Sequence, residues 1–239
     1  MRAAPRQRFF AAPWRDFLDA LHAALPVPEW RGIAAAMAGT LVSWWIYVPV
    51  HELLHVLGCV ATGGTVERLE LSPEYGAAWL AMIFPFVAVG SDYAGQLVGF
   101  DTRGSDLTYG ATVFAPYVLT ILVGVPLLRE VGRRGRAGAG PCAWVGVAIP
   151  PAFAGFAGVV GDFYELGSIP TSRAAAALGW GPDPMQWRSD DLVLLAREFL
   201  GRGARPADFA GVLAGFTLGT LCAFATYWLG VWLHRRVVG

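Results

Sequence analysis

The sequence predicts an all-α integral membrane protein with about four transmembrane helices. Hydrophobic residues make up 55% of the 239 positions and charged residues only 15%, against about 25% in soluble domains. The mean hydropathy is +0.48, and four apolar stretches are long enough to cross a bilayer core of about 30 Å. We therefore expect membrane lipids as partners and the bacterial inner membrane as the location. A formal net charge of zero argues against nucleic acid as a partner.

Residues 1–32 are predicted to form an interfacial amphipathic segment. From Pro13 onward, apolar side chains recur at helical spacing. They are Trp14, Phe17, Leu18, Leu21, Ala24 and Leu25. Arginines flank this helix on both sides, and Asp16 and Asp19 interrupt any apolar centre that a signal peptide would need.

Residues 33–169 are predicted to form a three-helix membrane core, whose first span covers 33–62. Residues 63–73 follow, beginning with a glycine turn and then alternating in part between apolar and charged side chains. This pattern fits a short strand or a plain loop equally well. As a strand beside the first span, it would be able to receive an extended peptide along its edge.

Residues 77–90 are apolar but too short to span, and they contain Pro85, which suits a re-entrant or interfacial segment. A loop then extends to about residue 108. The second span, 109–128, contains Pro116, which should kink the helix and free a backbone carbonyl.

The third span is predicted over 142–169 and carries Asp162 and Glu165 near its end. Residues 170–206 are polar and should form an extramembrane loop with one short helix capped by Ser189. The C-terminal segment, 207–239, supplies the last span. A stripe of small residues in it, Gly211, Gly215 and Gly219, favours close helix packing.

The pentapeptide His51-Glu52-Leu53-Leu54-His55 lies late in the first span. On a helix, residues four apart share a face, so both imidazoles can bind one metal ion while Glu52 reaches a water molecule on it. This is the pattern of zinc hydrolases, and Zn²⁺ is the expected cofactor. The alternative is a polar patch that faces other helices and is satisfied by hydrogen bonds alone.

Asp162 is the first choice for a third metal ligand. His51 lies 18 residues into its span and Asp162 lies 20 into its own, or about 27 and 30 Å along an ideal helix. With one span between them, the two helices run in parallel, so these side chains reach similar depth. Catalytic zinc sites use three protein ligands and leave one position open. The alternatives are Glu165, then Glu74, Asp92 and Cys59.

These residues resemble the site-2 protease superfamily of intramembrane zinc metalloproteases. His51, Glu52 and His55 match its first motif, Ala115-Pro116 stands for its Gly-Pro motif, and Gly161-Asp162 stands where its Asp-Gly motif would be. The resemblance covers 33–169. It implies His51, His55 and Asp162 as zinc ligands and Glu52 as the general base.

The chain departs from the family pattern at several places. Leu54 replaces a glycine before the second histidine, Phe163 follows the aspartate, and the chain has no asparagine at all. The family's helix asparagines, which position the substrate or the oxyanion, therefore have no counterpart. Tyr47, Tyr117 and Tyr164 are candidate substitute donors.

The predicted function is that of a membrane-embedded zinc metallopeptidase that hydrolyses peptide bonds in or near the membrane. One alternative is a catalytically silent membrane protein with a structural metal or a partner-binding site. A transporter is a third interpretation, which the lack of repeated halves disfavours. Arginines cluster at both termini and over 129–136, and the positive-inside rule then places both termini in the cytoplasm and the motif towards the outer face. Members of the resembled family commonly place their site nearer the cytoplasm.

Overall fold

The computed structural model of the chain describes residues 9–180, 183–203 and 205–238. The first eight residues of the predicted interfacial segment, Gly181, Pro182 and Ala204 of the predicted loop, and Gly239 of the C-terminal segment lie outside the described residues. Within these ranges the chain is mostly helical. Four helical stretches are long and apolar enough to cross a membrane: Trp30–Ala61, Asp106–Arg134, Ala139–Val160 and Pro206–Val238.

The regular elements follow one another along the chain. The helices are α1 (Ala12–Ala24), α2 (Trp30–Ala61), α3 (Ala77–Ile83), α4 (Asp106–Phe114), α5 (Val125–Arg134), α6 (Ala139–Ala157), α7 (Asp162–Ala177), α8 (Leu192–Gly201) and α9 (Pro206–Val238). The strands are β1 (Thr65–Leu71), β2 (Val87–Val89) and β3 (Gly95–Asp101). The small sheet corrects the all-α prediction.

The chain divides into two compact units, and α2 contributes to both. The first unit contains residues 9–45, 118–154 and 224–238. In it, α1 packs on α5, and the buried Asp16 carboxylate accepts hydrogen bonds from Arg129 at 2.5 and 2.6 Å. The apolar side chains Trp14 and Leu18 of α1 remain exposed, as expected for an amphipathic helix.

The second unit comprises Ile46–Tyr117 and Gly155–Ala223, and it contains the sheet in the order β2-β1-β3. β1 pairs in parallel with β2 and antiparallel with β3. Leu69 and Leu71 of β1 are fully buried against Val48 and Val56 of α2. This apolar contact fixes the sheet beside the helix that carries the histidines.

Of the two alternatives left open for 63–73, the structure shows the strand, β1, whereas β2 and β3 were not predicted. The segment 77–90 is not one re-entrant piece, because it forms the short helix α3 and then β2. The loop towards residue 108 contains β3. Both missed strands lack apolar alternation: β2 has only three residues and β3 carries two glycines. The expected peptide edge on β1 is also wrong, since β1 is the central strand.

Pro116 breaks the second span as predicted. Helix α4 ends at Phe114, a 3-10 turn covers Ala115–Tyr117, and a π-helical turn covers Thr120–Gly124 before α5 begins. Proline has no N–H to donate to the carbonyl four residues earlier, so the Thr112 carbonyl loses its helical partner. The same logic applies in α6, where Pro151 frees the Val147 carbonyl and the Ser43 hydroxyl donates to it at 2.8 Å.

The third span is shorter than predicted. Helix α6 gives way to a 3-10 turn at Gly158–Val160, and Gly161, with φ −109° and ψ −113°, interrupts the helix before α7 begins. Asp162 is therefore the first residue of a new helix. The cap of α8 is Asp191, whose carboxylate accepts from the Val193 and Leu194 amides, instead of the predicted Ser189. Gly219 of α9 does pack against α7, touching the Phe163 backbone.

Candidate metal centre

The C-terminal half of α2 places His51 and His55 one turn apart on the same face. Their Nε2 atoms lie 3.1 Å from each other. Their side chains are only 14% and 11% exposed. Together with Glu52 they form a group that is able to hold a metal ion, since one ligand atom from each lies within 4.8 Å of the others.

Asp162 joins this group from the first position of α7. Its Oδ2 atom lies 3.4 Å from His51 Nε2 and 3.6 Å from His55 Nε2. The break at Gly161 puts the carboxylate at a helix start, where it can turn towards α2. The structure thus brings together the three residues that the sequence predicts as ligands.

The orientation of His55 is fixed by the carbonyl that Pro116 frees. His55 Nδ1 lies 2.9 Å from the Thr112 carbonyl oxygen, which can only accept, so Nδ1 carries the proton. In a neutral ring, Nε2 is then left with its lone pair pointing at the candidate metal position. A backbone acceptor that sets the tautomer of a histidine is the usual arrangement behind a metal ligand.

Two tyrosines support the other two predicted ligands. The Tyr47 hydroxyl lies 2.7 Å from His51 Nδ1. The Tyr117 hydroxyl donates to Asp162 Oδ2 at 2.7 Å. Tyr164 is different, because its hydroxyl donates to the Trp187 carbonyl at 2.8 Å. Of the three candidate substitute donors, Tyr47 and Tyr117 therefore contact the site residues directly.

Glu52 is 9% exposed and lies beneath β3. A Cβ atom at Gly95 would come within 2.5 Å of Glu52 Cγ and 2.9 Å of Glu52 Cδ. Only glycine therefore lets the strand pass over this carboxylate without displacing it. The close approach positions the start of β3 beside the candidate general base.

A cavity of about 530 Å³ opens from this cluster. Its walls include the three predicted ligands and Glu52, and β3 contributes Gly95, Gln96 and Leu97. The segment before α8 forms a further wall, where Asp190 accepts a hydrogen bond from Gln96 at 3.3 Å. The size falls within the range of about 300–1,000 Å³ that is typical of ligand sites.

Glu165 also lines this cavity but has its own partner. The Tyr109 hydroxyl donates to its carboxylate. Burial raises the pKa of Glu165 to about 8. Its carboxylate is bonded to Tyr109, whereas Asp162 Oδ2 lies within 3.6 Å of both histidine Nε2 atoms, which favours Asp162 over Glu165 as the third ligand.

The remaining alternative ligands point elsewhere. Cys59 is fully buried, and its thiol donates to the Thr65 carbonyl. Glu74 accepts a hydrogen bond from Ser72. Among the described residues, neither Cys59 nor Glu74 lines the cavity, and Asp92 does not line it either.

Several cavity residues were missed at the sequence level. Gly95 and Gln96 lie on an unpredicted strand, and Tyr109 was assigned only to a span. Arg188, whose guanidinium donates to both carboxylate oxygens of Asp106 at 2.8 and 3.1 Å, lies in the predicted extramembrane loop. The acceptor of His55 had a usable signal, because Thr112 stands four residues before Pro116.

Comparisons of the chain with protein-family models, with curated proteins and with solved structures find no match. The resemblance to the site-2 protease superfamily therefore stays a prediction, based on the residues of the motifs themselves.

Proposed function

We propose that the chain is an integral membrane zinc hydrolase that cleaves peptide bonds in or next to the lipid bilayer. The observation that supports this most is the convergence of His51 Nε2, His55 Nε2 and Asp162 Oδ2, whose mutual distances are 3.1, 3.4 and 3.6 Å. These three electron-pair donors come from two separate helices.

The spacing fits a tetrahedral zinc ion. Ligand atoms about 2.0–2.1 Å from zinc at tetrahedral angles lie about 3.3–3.4 Å apart. The three observed distances straddle this value. Two imidazoles and one carboxylate are also a donor set that catalytic zinc sites use, with the fourth position left for water or substrate.

The residues of the chain divide the chemistry between them. A zinc ion held by His51, His55 and Asp162 would supply Lewis acidity, which lowers the pKa of water towards about 7 and polarises a carbonyl. Glu52 would accept the proton from the attacking water and return it to the leaving amine. The Tyr47 and Tyr117 hydroxyls hold the ligands in orientation.

The start of β3 is the surface best placed to hold a substrate peptide. Gly95 lies directly over Glu52, and Gln96 and Leu97 line the same cavity. Among the described residues, β3 pairs with β1 on one edge and has no strand partner on the other. An extended peptide added along that edge would run past the base and the candidate metal position.

Membrane placement is part of the proposal. The four long apolar helices support it by length and composition. We propose the bacterial inner membrane, with α1 lying along the interface. A protein with the same cluster as a purely structural metal site is the rival, and the open cavity beside the cluster favours the hydrolase.

The decisive experiment compares two carboxylate variants with the wild type in detergent or liposomes. The wild type should hold about one zinc ion per chain by elemental analysis. Asp162→Asn removes a charged ligand and should lose most of the zinc. Glu52→Gln should keep its zinc but lose turnover of any cleaved substrate by about 10²- to 10⁴-fold, because general-base catalysis contributes that much.

Two results would contradict this proposal. If a folded wild type binds no zinc when zinc is offered, the metal assignment is wrong. If Glu52→Gln cleaves at the wild-type rate, Glu52 is not the general base. His51→Ala serves as the matched control for metal loss without a change at either carboxylate.

A further inference from the structure

A groove in the first unit lies between the facing ends of α5 and α6, and it is unrelated to the candidate metal centre. Leu127, Glu130, Val131 and Arg134 lie at spacings of three and four, so they form one face of α5. Gly140, Pro141 and Trp144 in the first turns of α6 form the other side. The groove has a volume of about 430 Å³.

The turn between the helices puts positive charge at the mouth of the groove. Gly135, with φ +60°, ends α5, and Gly138, with φ +123°, precedes α6. Between them stands Arg136, which is exposed and lines the groove. Arg136 has no ion pair or hydrogen bond with any residue that the structure describes. Arg134, two residues earlier and the last residue of α5, shares Glu130 with Arg133.

The floor of the groove is apolar. Val131 is 8% exposed, and the indole of Trp144 is 54% exposed about one and a half turns into α6. Exposed tryptophans at this depth are typical of the boundary between lipid headgroups and acyl chains. A basic rim above an apolar wall matches a molecule with an anionic head and a hydrocarbon tail.

We infer that this groove binds one anionic phospholipid, with its phosphate on Arg136 and Arg134 and an acyl chain against Trp144 and Leu127. The inference depends on membrane placement but not on the hydrolase chemistry. It agrees with the arginine-rich ends facing the cytoplasm, because the anionic lipids of that leaflet attract basic segments.

Two variants test the two halves of this site. Arg136→Gln removes the rim charge. Its matched control is Arg197→Gln, an exposed arginine of α8 that likewise pairs with no described residue. Gly140→Leu adds a side chain at a residue that lines the groove, and a Cβ atom there meets no atom within 4 Å. Leucine is also a better helix former than glycine, so this variant should fold.

The measurement is native mass spectrometry of the full chain in detergent, titrated with phosphatidylglycerol or with phosphatidylcholine of the same acyl composition. The wild type should retain phosphatidylglycerol in preference to phosphatidylcholine. Arg136→Gln should weaken its retention about fivefold, and Arg197→Gln should not. Gly140→Leu should reduce retention of both lipids, while zinc content stays at the wild-type level in every variant.

Equal retention of the two lipids by the wild type would overturn the inference, as would unchanged retention by Gly140→Leu. A chain that forms dimers which Gly140→Leu dissociates, with lipid retention unaffected, would assign the groove to a second copy instead.

Discussion

At the scale of single residues, the most constrained position beside the candidate base is a glycine. Glu52 and Gly95 lie far apart in sequence. They meet because the first residue of β3 approaches the C-terminal part of α2. The lack of a side chain at 95 is what leaves the Glu52 carboxylate where it is. A Cβ atom 2.5 Å from Glu52 Cγ would force a shift of about 1 Å to regain ordinary contact.

We predict that Gly95→Val lowers turnover by about 10²-fold while zinc content stays at the wild-type level, because a misplacement of about 1 Å near the chemistry costs that much. Cleavage assays with parallel metal analysis would measure this. The control is Gly110→Ala in α4, where a Cβ atom would meet only Ile169 Cδ1, at 3.9 Å. Full activity in Gly95→Val would mean that Glu52 has room to move and that β3 does not position it.

At the scale of elements, interruptions in two helices place polar atoms of the site. Pro116 ends α4 and releases the Thr112 carbonyl to His55, and the interruption at Gly161 starts α7 at Asp162. Irregular backbone inside an apolar region needs new partners for the released groups. Here the released carbonyl and the new helix start both serve the candidate metal centre.

Pro116→Ala should therefore weaken zinc binding about tenfold, because the restored N–H at 116 competes with His55 for the Thr112 carbonyl. Competition with a chromophoric chelator would give the affinity. Pro151→Ala is the comparison variant, since the carbonyl it affects accepts from Ser43 and not from a site residue. Equal zinc affinity in both variants would show that the Thr112 acceptor does not orient His55.

Sequence patterns predicted these elements to different degrees. The long spans and the proline break were predicted because each depends on a strong local signal. The sequence left β1 open between a strand and a loop. Asp162 was placed beside the histidines by a comparison of depth along two spans, although the structure starts a new helix at Asp162. The strands β2 and β3 were not predicted. Both pair with β1 across 17 or more positions, and neither a three-residue strand nor a glycine-containing one shows a clear periodicity. Arg188 and Asp190 enter the cavity only through the tertiary fold.

At the scale of the whole molecule, the four apolar helices and the arginine distribution together predict an orientation in the membrane. Four arginines lie between residues 129 and 136, at the end of α5 and in the turn to α6, whereas the segment 65–101 that contains the sheet carries more acidic than basic residues. Basic segments are retained on the cytoplasmic side. The turn at Arg136 and the turn at Arg103 should therefore face opposite sides of the membrane.

We predict that a cysteine at position 136, from Arg136→Cys, reacts with a membrane-impermeant thiol reagent only from the cytoplasmic side. A cysteine at 103, from Arg103→Cys, should react only from the outside. The unsubstituted chain gives the background from its three native cysteines. Labelling of position 103 from the cytoplasmic side alone would invert the orientation and bring it into agreement with the resembled protease family.

The bond between His55 and the Thr112 carbonyl also determines what natural variation at this site should look like. Because the acceptor is a main-chain atom, another small side chain at position 112 would keep this hydrogen bond. The constraint passes instead to position 116, whose proline keeps that atom available. In an alignment of relatives, the proline should be retained together with the second histidine, although no contact between their two side chains is required. The residue at position 112 should vary.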